Sequence, residues 1–230
     1  MQAIVECKNL VKQFHQGETV VEALRGVTVS FDKGEFTSIS GPSGSGKSTL
    51  LHIIGSLEQP TEGEVFVDGV SLAKETKREL ADLRLRKIGF IFQAYNLIPV
   101  LTAIENIEFI PQLQGVDART RRERAMQLLR EVGLKGLEDR LPGQISGGQQ
   151  QRVAVARALA GNPAIVLADE PTANLDSKNS DELLALMSKL NEASGVTFIV
   201  ATHDPKVIGH TRRHLVLTDG QIETDEAKAA

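Results

Sequence analysis

The stretch that decides the fold reads Gly41-Pro42-Ser43-Gly44-Ser45-Gly46-Lys47-Ser48-Thr49. It matches the pattern G-x-x-x-x-G-K-[ST], in which glycines let backbone N–H groups turn inward around an anion. The run Phe36–Ser40 before it predicts a buried strand, and Leu50–Ile54 after it opens a predicted helix. A strand, a glycine-rich loop and a helix N-terminus together predict a phosphate-binding site. The plain structural alternative is a glycine-rich turn with a chance lysine.

The chemistry of this loop assigns roles to individual residues. Lys47 is predicted to reach the β- and γ-phosphates of a nucleotide, and the Ser48 hydroxyl to bind Mg²⁺. Further contacts to ATP are predicted along the whole loop, at Gly41, Pro42, Ser43, Gly44, Ser45, Gly46, Lys47, Ser48 and Thr49. The pattern therefore predicts a nucleotide with magnesium as the ligand of this loop.

Composition narrows the class of protein. The chain has 230 residues, which suits one α/β domain with room for a substantial core. A formal net charge of −4 gives no support for general nucleic-acid binding. Tryptophan is absent, which argues against a surface that stacks bases. We therefore expect no nucleic-acid partner.

Targeting signals are not evident in the sequence. Cys7 is the only cysteine, so a reducing compartment is expected. Residues 1–6 lack a basic segment followed by a long apolar one, so no signal peptide is predicted. No apolar run approaches the length of a membrane span. Work at a membrane would therefore need spans from another chain.

Periodicity and turn residues divide the chain into strands and helices. Strands are predicted at Ile4–Glu6, Val20–Leu24, Val27–Phe31, Phe36–Ser40, Gly63–Val67, Ile88–Phe92, Ile165–Ala168 and Thr197–Ala201. Helical character is predicted over Ser71–Lys87, Thr102–Gly133, Ser146–Ala160 and Asp181–Ala193. His214–Leu217 followed by Asp219-Gly220 predicts a closing hairpin, and the polar tail Glu223–Ala230 is expected to fray.

Two acidic residues end the apolar strand Ile165–Ala168. Ligand chemistry in open parallel sheets lies at the carboxyl ends of the strands. Asp169 is predicted to hold Mg²⁺ through water, and Glu170 to accept a proton from water attacking the γ-phosphate. A strand that simply ends in a polar turn is the alternative, but the phosphate loop upstream argues against it.

A second anion site is predicted in Ile145-Ser146-Gly147-Gly148-Gln149. The glycine pair leaves N–H groups uncovered at a helix start, and Ser146 adds a hydroxyl. An ordinary capped helix is the structural alternative. The stretch resembles the signature L-S-G-G-Q of the ATP-binding-cassette (ABC) family. The resemblance implies that two such domains pair head to tail as a homodimer, each signature (Ser146, Gly147, Gly148, Gln149) capping the ATP of the other.

The resemblance covers almost the whole chain and implies further site residues. Gln93 is similar to the family's glutamine that touches Mg²⁺ and senses the γ-phosphate. His203 resembles the switch histidine that hydrogen-bonds the γ-phosphate, although alone it would be a strand-end histidine. Asp176 resembles the aspartate that crosses the dimer interface. Phe14 resembles the aromatic residue stacked on adenine, with a core phenylalanine as its alternative.

The resemblance also implies the architecture. It predicts an α/β fold: a phosphate-loop NTPase core with a mainly parallel sheet, an N-terminal antiparallel β subdomain and an inserted α-helical subdomain. Residues 1–230 would form one nucleotide-binding domain, with 1–93 and 162–230 as the core and about 94–161 as the helical subdomain. The departures are small: Ile145 replaces the common leucine, and Phe14 lacks the hydroxyl of the frequent tyrosine.

Partners follow from the resemblance as well. The chain resembles the branch that contains lipoprotein-releasing, macrolide-exporting and cell-division ATPases, with lipoprotein release as the first expectation. Separately encoded integral membrane permease subunits would dock at Tyr95–Leu101, on the cytoplasmic face of the inner membrane. An apolar loop packed under the helical lobe is the alternative for that segment. The competing functions are a soluble ABC ATPase and another phosphate-loop enzyme, such as a kinase or GTPase, against which the signature argues.

Overall fold

Two β-sheets organise the chain, and the phosphate loop leaves the larger one. The computed structural model describes residues 3–17 and 19–227. The order is β2-β1-β4-β5 in the smaller sheet and β10-β9-β3-β8-β7-β6 in the larger one. The strands are β1 Ala3–Gln16, β2 Thr19–Asp32, β3 Phe36–Ser40, β4 Glu62–Val67, β5 Val70–Ser71, β6 Ile88–Phe92, β7 Ile165–Asp169, β8 Thr197–Ala201, β9 Arg213–Thr218 and β10 Gln221–Ala227.

Helices cover the larger sheet and connect its strands. They are α1 Lys47–Ile54, α2 Lys77–Lys87, α3 Ala103–Leu113, α4 Ala118–Glu131, α5 Gly147–Ala160, α6 Ser177–Ser194 and α7 Pro205–His210, with 3₁₀ turns at Leu72–Lys74 and Pro142–Gln144. Helices α3, α4 and α5 pack against one another. None of the helices among the described residues has the length and apolar character needed to cross a membrane.

The larger sheet is parallel except at one edge. Strand β3 pairs in parallel with β8 and β9, and β7 pairs in parallel with β6 and β8. Among the described strands of this sheet, β10 alone runs antiparallel, against β9. The carboxyl ends of β3, β6, β7 and β8 therefore meet at one edge. The phosphate loop, Gln93, Glu170 and His203 follow those four ends, so the topology places them together.

Side chains alternate between the two faces of this sheet and build two cores. Phe36, Val166 and Phe198 join the core shared with α3 to α6. Leu167 and Ile199, one residue further along their strands, join the core shared with α1 and the antiparallel sheet. Burial on both faces explains why these strands read as continuous apolar runs.

The N-terminal strands are longer than the sequence predicts. Pairing of β1 with β2 continues from Ala3 to Gln16 with several register shifts. Gly26, where the sequence predicts a break, has a φ of 79° and lies within β2. Local irregularities of this kind absorb an extra residue without ending a strand, so the hairpin continues.

The starts of α2 and α6 differ from the sequence prediction. The helix predicted from Ser71 begins at Lys77, because Ser71 belongs to strand β5 and Thr76 caps the N-terminus of α2. The region Thr102–Gly133, predicted to be mostly helical with a helix capped by Asp117 at Ala118, forms α3 and α4, whose N-termini are capped by Thr102 and Asp117. Helix α6 begins at Ser177, four residues before the predicted start, because the Asp176 side chain accepts a hydrogen bond from the Asn179 backbone. The short helix α7 was not predicted.

The predicted frayed tail is wrong up to Ala227. Strand β10 pairs with β9 along this segment. The Arg213 guanidinium holds it with bonds of 2.7 and 2.6 Å to the Asp225 carboxylate. Tertiary pairing therefore orders a polar segment that local sequence favours as a loop. Residues 228–230 of the predicted tail lie outside the described residues.

Candidate active site

Glycines shape the phosphate loop between β3 and α1. Gly46 has a φ of 103°, and a Cβ added there would collide with the Ala23 carbonyl oxygen. Gly41 has a φ of 148°, and a Cβ there would collide with the Leu217 carbonyl oxygen. Both positions combine a backbone conformation that side chains disfavour with a close neighbouring backbone. The loop therefore needs glycine at each of them.

The Lys47 side chain folds back over the loop. It is only 7% exposed, and its Nζ donates to the carbonyl oxygens of Gly41 and Pro42 at 2.9 Å each. An ammonium has three donors, so two are used within the loop. Phosphate oxygens accept stronger, charge-assisted hydrogen bonds from such a group. The lysine is thus held at the loop in reach of an anion.

Ser48 and Asp169 form a pair of oxygen ligands. The Ser48 hydroxyl donates to Asp169 Oδ1 at 2.9 Å, and His52 Nε2 lies 4.0 Å from Asp169 Oδ2. Burial raises the pKa of Asp169, although the hydrogen bond from Ser48 acts to lower it. Magnesium prefers oxygen ligands and takes one or two from protein beside substrate phosphates. The pair fits that ion, whereas no cluster of three His, Cys, Asp or Glu side chains suited to a metal occurs among the described residues.

Glu170 and His203 meet across two strand ends. Glu170 Oε1 lies 2.7 Å from His203 Nδ1, and Thr202 Oγ1 donates to Glu170 Oε2 at 3.3 Å. The Glu170 backbone has a φ of 48° and its N–H donates to the Ala201 carbonyl oxygen. A carboxylate held in this way can accept a proton from water in the adjoining space.

One cavity of about 510 Å³ brings the four predicted catalytic side chains together with part of the phosphate loop, whereas Gly41, Pro42, Ser45 and Asp169 lie outside its lining. Such a volume lies in the usual range for small-molecule sites. Gln93, which follows β6, is exposed, and its carbonyl oxygen accepts a bond of 2.9 Å from Asn174 Nδ2. The lining residues are Ala23, Ser43, Gly44, Gly46, Lys47, Ser48, Thr49, Gln93, Glu170, Ala173 and His203.

The signature segment, residues 145–149, does not line this cavity. Ser146 caps α5: its hydroxyl accepts from the Gln149 N–H, and Gln149 Oε1 accepts from the Ser146 N–H. A Cβ on Gly147 would lie 2.7 Å from the Tyr95 hydroxyl. A Cβ on Gly148 would lie 3.1 Å from Asn179 Oδ1. Ser146 therefore caps α5 as the alternative interpretation requires, and the signature segment lies outside the cavity at the chain's own phosphate loop.

Asp176 and Phe14 also lie outside the lining. Asp176 accepts bonds from the backbone and side-chain nitrogens of Asn179, which lower the pKa of its carboxyl group. Phe14 pairs with Val21 in the hairpin, and Lys12 Nζ lies 4.8 Å from its ring centroid. Neither contact identifies a ligand within this single chain.

Sequence reasoning missed three neighbours of the site. Ala23 and Ala173 line the cavity without any chemical signal in the sequence. Thr202 bonds to Glu170, and its position directly before His203 was the available signal. Ala23 lies in β2, and only tertiary packing brings the β1–β2 hairpin to the phosphate loop.

A phosphate loop after a central parallel strand, with acidic residues on a neighbouring strand end, defines a phosphate-loop nucleotide hydrolase.

Comparison with known proteins is more specific. The family model described as "ABC transporter" matches residues 24–173. The chain is 48% identical to the uncharacterized ABC transporter ATP-binding protein MJ0796 of Methanocaldococcus jannaschii, over 97% of each chain. The macrolide export ATP-binding/permease protein MacB of Syntrophobacter fumaroxidans is 45% identical over 96% of this chain but 31% of its own length.

Two of the solved structures that resemble this chain are of one of these same relatives, MJ0796. The dimeric structure of a post-hydrolysis state of the MJ0796 cassette bound to ADP and Pi has a TM-score of 0.90 and 46% identity, over 98% of this chain and 99% of that chain. This chain belongs to the ABC transporter family, as an ATP-binding subunit with ATPase activity. The predicted α/β fold with its antiparallel β subdomain is confirmed.

Proposed function

We propose that the chain hydrolyses ATP to drive membrane permease subunits encoded as separate chains. The observation that carries this proposal is the Glu170 carboxylate, 2.7 Å from His203 in the cavity that Lys47 and Ser48 line. Relatives matched over 97% of their length are named ATP-binding proteins. MacB, whose name includes a permease, is about three times as long as the matched segment.

Binding of ATP is assigned to the phosphate loop, Gly41–Thr49. Its N–H groups and the Lys47 ammonium surround the phosphates and neutralise their charge. Ser48 and Gln93 would hold Mg²⁺ directly and Asp169 through water, and the ion, when bound, adds charge neutralisation at the phosphates. The assignment is supported by the 2.9 Å contact between Ser48 and Asp169.

Hydrolysis is assigned to Glu170 and His203. Glu170 takes a proton from the attacking water, while the water oxygen bonds to the γ-phosphorus and the bond to ADP breaks. His203 holds the Glu170 carboxylate through Nδ1 and offers its other ring nitrogen to the γ-phosphate. Its side chain is 71% exposed, so that nitrogen can reach a ligand in the cavity.

Closure of a head-to-tail homodimer would complete the site. Ser146, Gly147, Gly148 and Gln149 of one chain would cap the ATP of the other. Asp176 would cross the interface and Phe14 would stack on adenine. Support comes from the position of the signature segment outside the chain's own cavity and from the dimeric MJ0796 structures. Because the γ-phosphate joins the two halves, hydrolysis would reopen the dimer.

Docking of the permease is assigned to Tyr95–Leu101 and the groove beside it. The groove has a volume of about 430 Å³ and is mainly apolar, with lining that includes Leu57, Phe90, Phe92, Ile98, Phe109 and Ile110. Arg157 donates to the carbonyl oxygens of Tyr95 and Asn96 and so holds the segment on α5. Val100 is 79% exposed. Exposed apolar surface of this kind favours a protein partner.

The transported substrate is proposed to be a lipoprotein released from the cytoplasmic membrane, with related export as the next choice. The test is a pull-down of tagged Glu170→Gln from detergent-solubilised membranes with ATP, followed by mass spectrometry. Recovery of a membrane permease with a large domain on the far side of the membrane would support the proposal. Loss of that permease from the pull-down when Val100→Asp is added would locate the docking surface. Recovery of soluble or ribosomal proteins alone would refute transport while leaving ATP hydrolysis intact.

A further inference from the structure

Gln151 is a fully buried amide in the first turns of α5, just after the signature segment. Its Nε2 donates to the Pro171 carbonyl oxygen at 2.6 Å and lies 3.5 Å from the Phe92 carbonyl oxygen. Carbonyl oxygens only accept hydrogen bonds, so the NH₂ end of the amide must face both of them. The orientation of this side chain is therefore set by its surroundings.

The two carbonyl groups belong to segments that enter the active site. Phe92 is the last residue of β6 and directly precedes Gln93. Pro171 directly follows Glu170. Phe92 and Asp169 are register partners in the parallel pair of β6 and β7, so both strands leave the sheet beside this amide. Gln151 thus connects α5 to the chain on either side of the site.

Packing alone does not explain an amide at this position. Its Oε1 is buried and has no donor among the described residues. An unpaired buried oxygen reduces stability, and an apolar side chain of the same size would avoid that loss. The amide is better explained by what its NH₂ group holds.

The segment held by this amide carries a strained residue. Glu170 has a φ of 48° and precedes a proline, which restricts its backbone further. Conformations of this kind persist only where the surroundings over-determine them. The restraints are the bond from the Glu170 N–H to the Ala201 carbonyl oxygen and the bond from Gln151 to the next residue.

We propose that Gln151 is a positioning residue that transmits movement of the signature segment to Glu170. This inference rests on the proposed function, in which Ser146 caps the partner's ATP. Ser146 caps the helix that carries Gln151, so a shift of that helix on closure would move Pro171 and with it the Glu170 backbone. Each chain's catalytic carboxylate would then respond to the nucleotide held by the partner.

The first test replaces the amide by an apolar side chain of similar length. Gln151→Met in the full chain is expected to lower kcat by about 10- to 100-fold, because small misplacements of a catalytic group have effects of that size. Nucleotide affinity should stay within about twofold, since the phosphate loop is untouched, and the Hill coefficient for ATP should fall towards one.

Asn191→Leu is the matched control for loss of a buried amide. Asn191 Nδ2 donates to the carbonyl oxygens of Gly34, Glu35 and Val196 at the opposite end of the sheet. This variant should lower the unfolding temperature while keeping kcat and the Hill coefficient. A Gln151→Met variant that also keeps both values would overturn the inference.

A second variant covers the case in which Gln151→Met does not fold. Gln151→Glu retains the size of the side chain, and its carboxyl can donate to Pro171 only when protonated. The ratio of its kcat to that of the wild type should therefore rise as pH falls from 8.5 to 6. A ratio that stays flat and near one would refute the positioning role. Absence of hydrolysis in the wild type would instead refute the proposed function.

Discussion

Glu170→Gln is expected to bind ATP, to hydrolyse it about 10² to 10⁴ times more slowly than the wild type, and to accumulate as an ATP-bound dimer. The substitution replaces one carboxylate oxygen by an amide nitrogen and leaves the volume unchanged. The side chain can still contact His203 and Thr202, which lie 2.7 and 3.3 Å from the carboxylate. The variant therefore loses the proton acceptor without losing the shape of the site.

The size of the effect follows from that single loss. A positioned general base contributes about 10²- to 10⁴-fold to rate, or about 3 to 5 kcal/mol of activation free energy. Binding should persist because Lys47, Ser48 and the loop N–H groups are unchanged. The negative charge of Glu170 also contributes to the raised pKa of Asp169, so its removal favours the ionised form of that magnesium ligand.

Phosphate release at saturating MgATP measures kcat, and size-exclusion chromatography with ATP measures dimer formation. Asp82→Asn is the matched control, because this carboxylate is 58% exposed and, within residues 3–17 and 19–227, its ion pair is with Arg86 on α2. It should behave as the wild type in both assays. A Glu170→Gln variant that turns over within tenfold of the wild type, or that stays monomeric at high concentration, would show that another group is the base.

The remaining predictions concern the shared site, the phosphate loop and acid stability. Ser146→Arg removes the cap of α5, which should cost about 1 kcal/mol of folding free energy. This variant should lose ATP turnover while nucleotide titration shows normal binding, and loss of binding would refute a site shared between chains. Gly46 has a φ of 103°, and a Cβ there would meet the Ala23 carbonyl oxygen. Gly46→Ala should therefore weaken ATP binding at least tenfold, measured by calorimetry, and lower the free energy of unfolding in urea by about 1 to 3 kcal/mol. Unchanged affinity would show that the loop tolerates a side chain at this position. Cap hydrogen bonds lower the pKa values of Glu105, Asp117 and Asp176, so the unfolded chain binds more protons than the folded chain in acid. The unfolding temperature followed by circular dichroism should therefore fall as pH drops from 5 to 3, and a constant value would show that these caps add no net stability.

Local sequence determined the parts of the protein whose chemistry is contiguous. The phosphate loop, its lysine and the buried strand that ends in Asp169 and Glu170 are each encoded within a few residues. Glycine spacing, strand length and helix caps act over that same range, so these features were predicted with their correct elements. The signature segment was likewise recognisable, since its glycines and cap residues adjoin one another.

Only the tertiary structure decided which distant groups meet. Glu170 and His203 are 33 residues apart and come into contact because β7 and β8 are parallel neighbours in register. The role of Gln151 was invisible in the sequence, because its partners are carbonyl groups that every residue carries. The polar tail forms strand β10 because it pairs with β9, and the residue types of the tail alone do not indicate that pairing. Long-range pairing is a property of the assembled sheet, and it decides where the chemistry encoded in short segments is brought together.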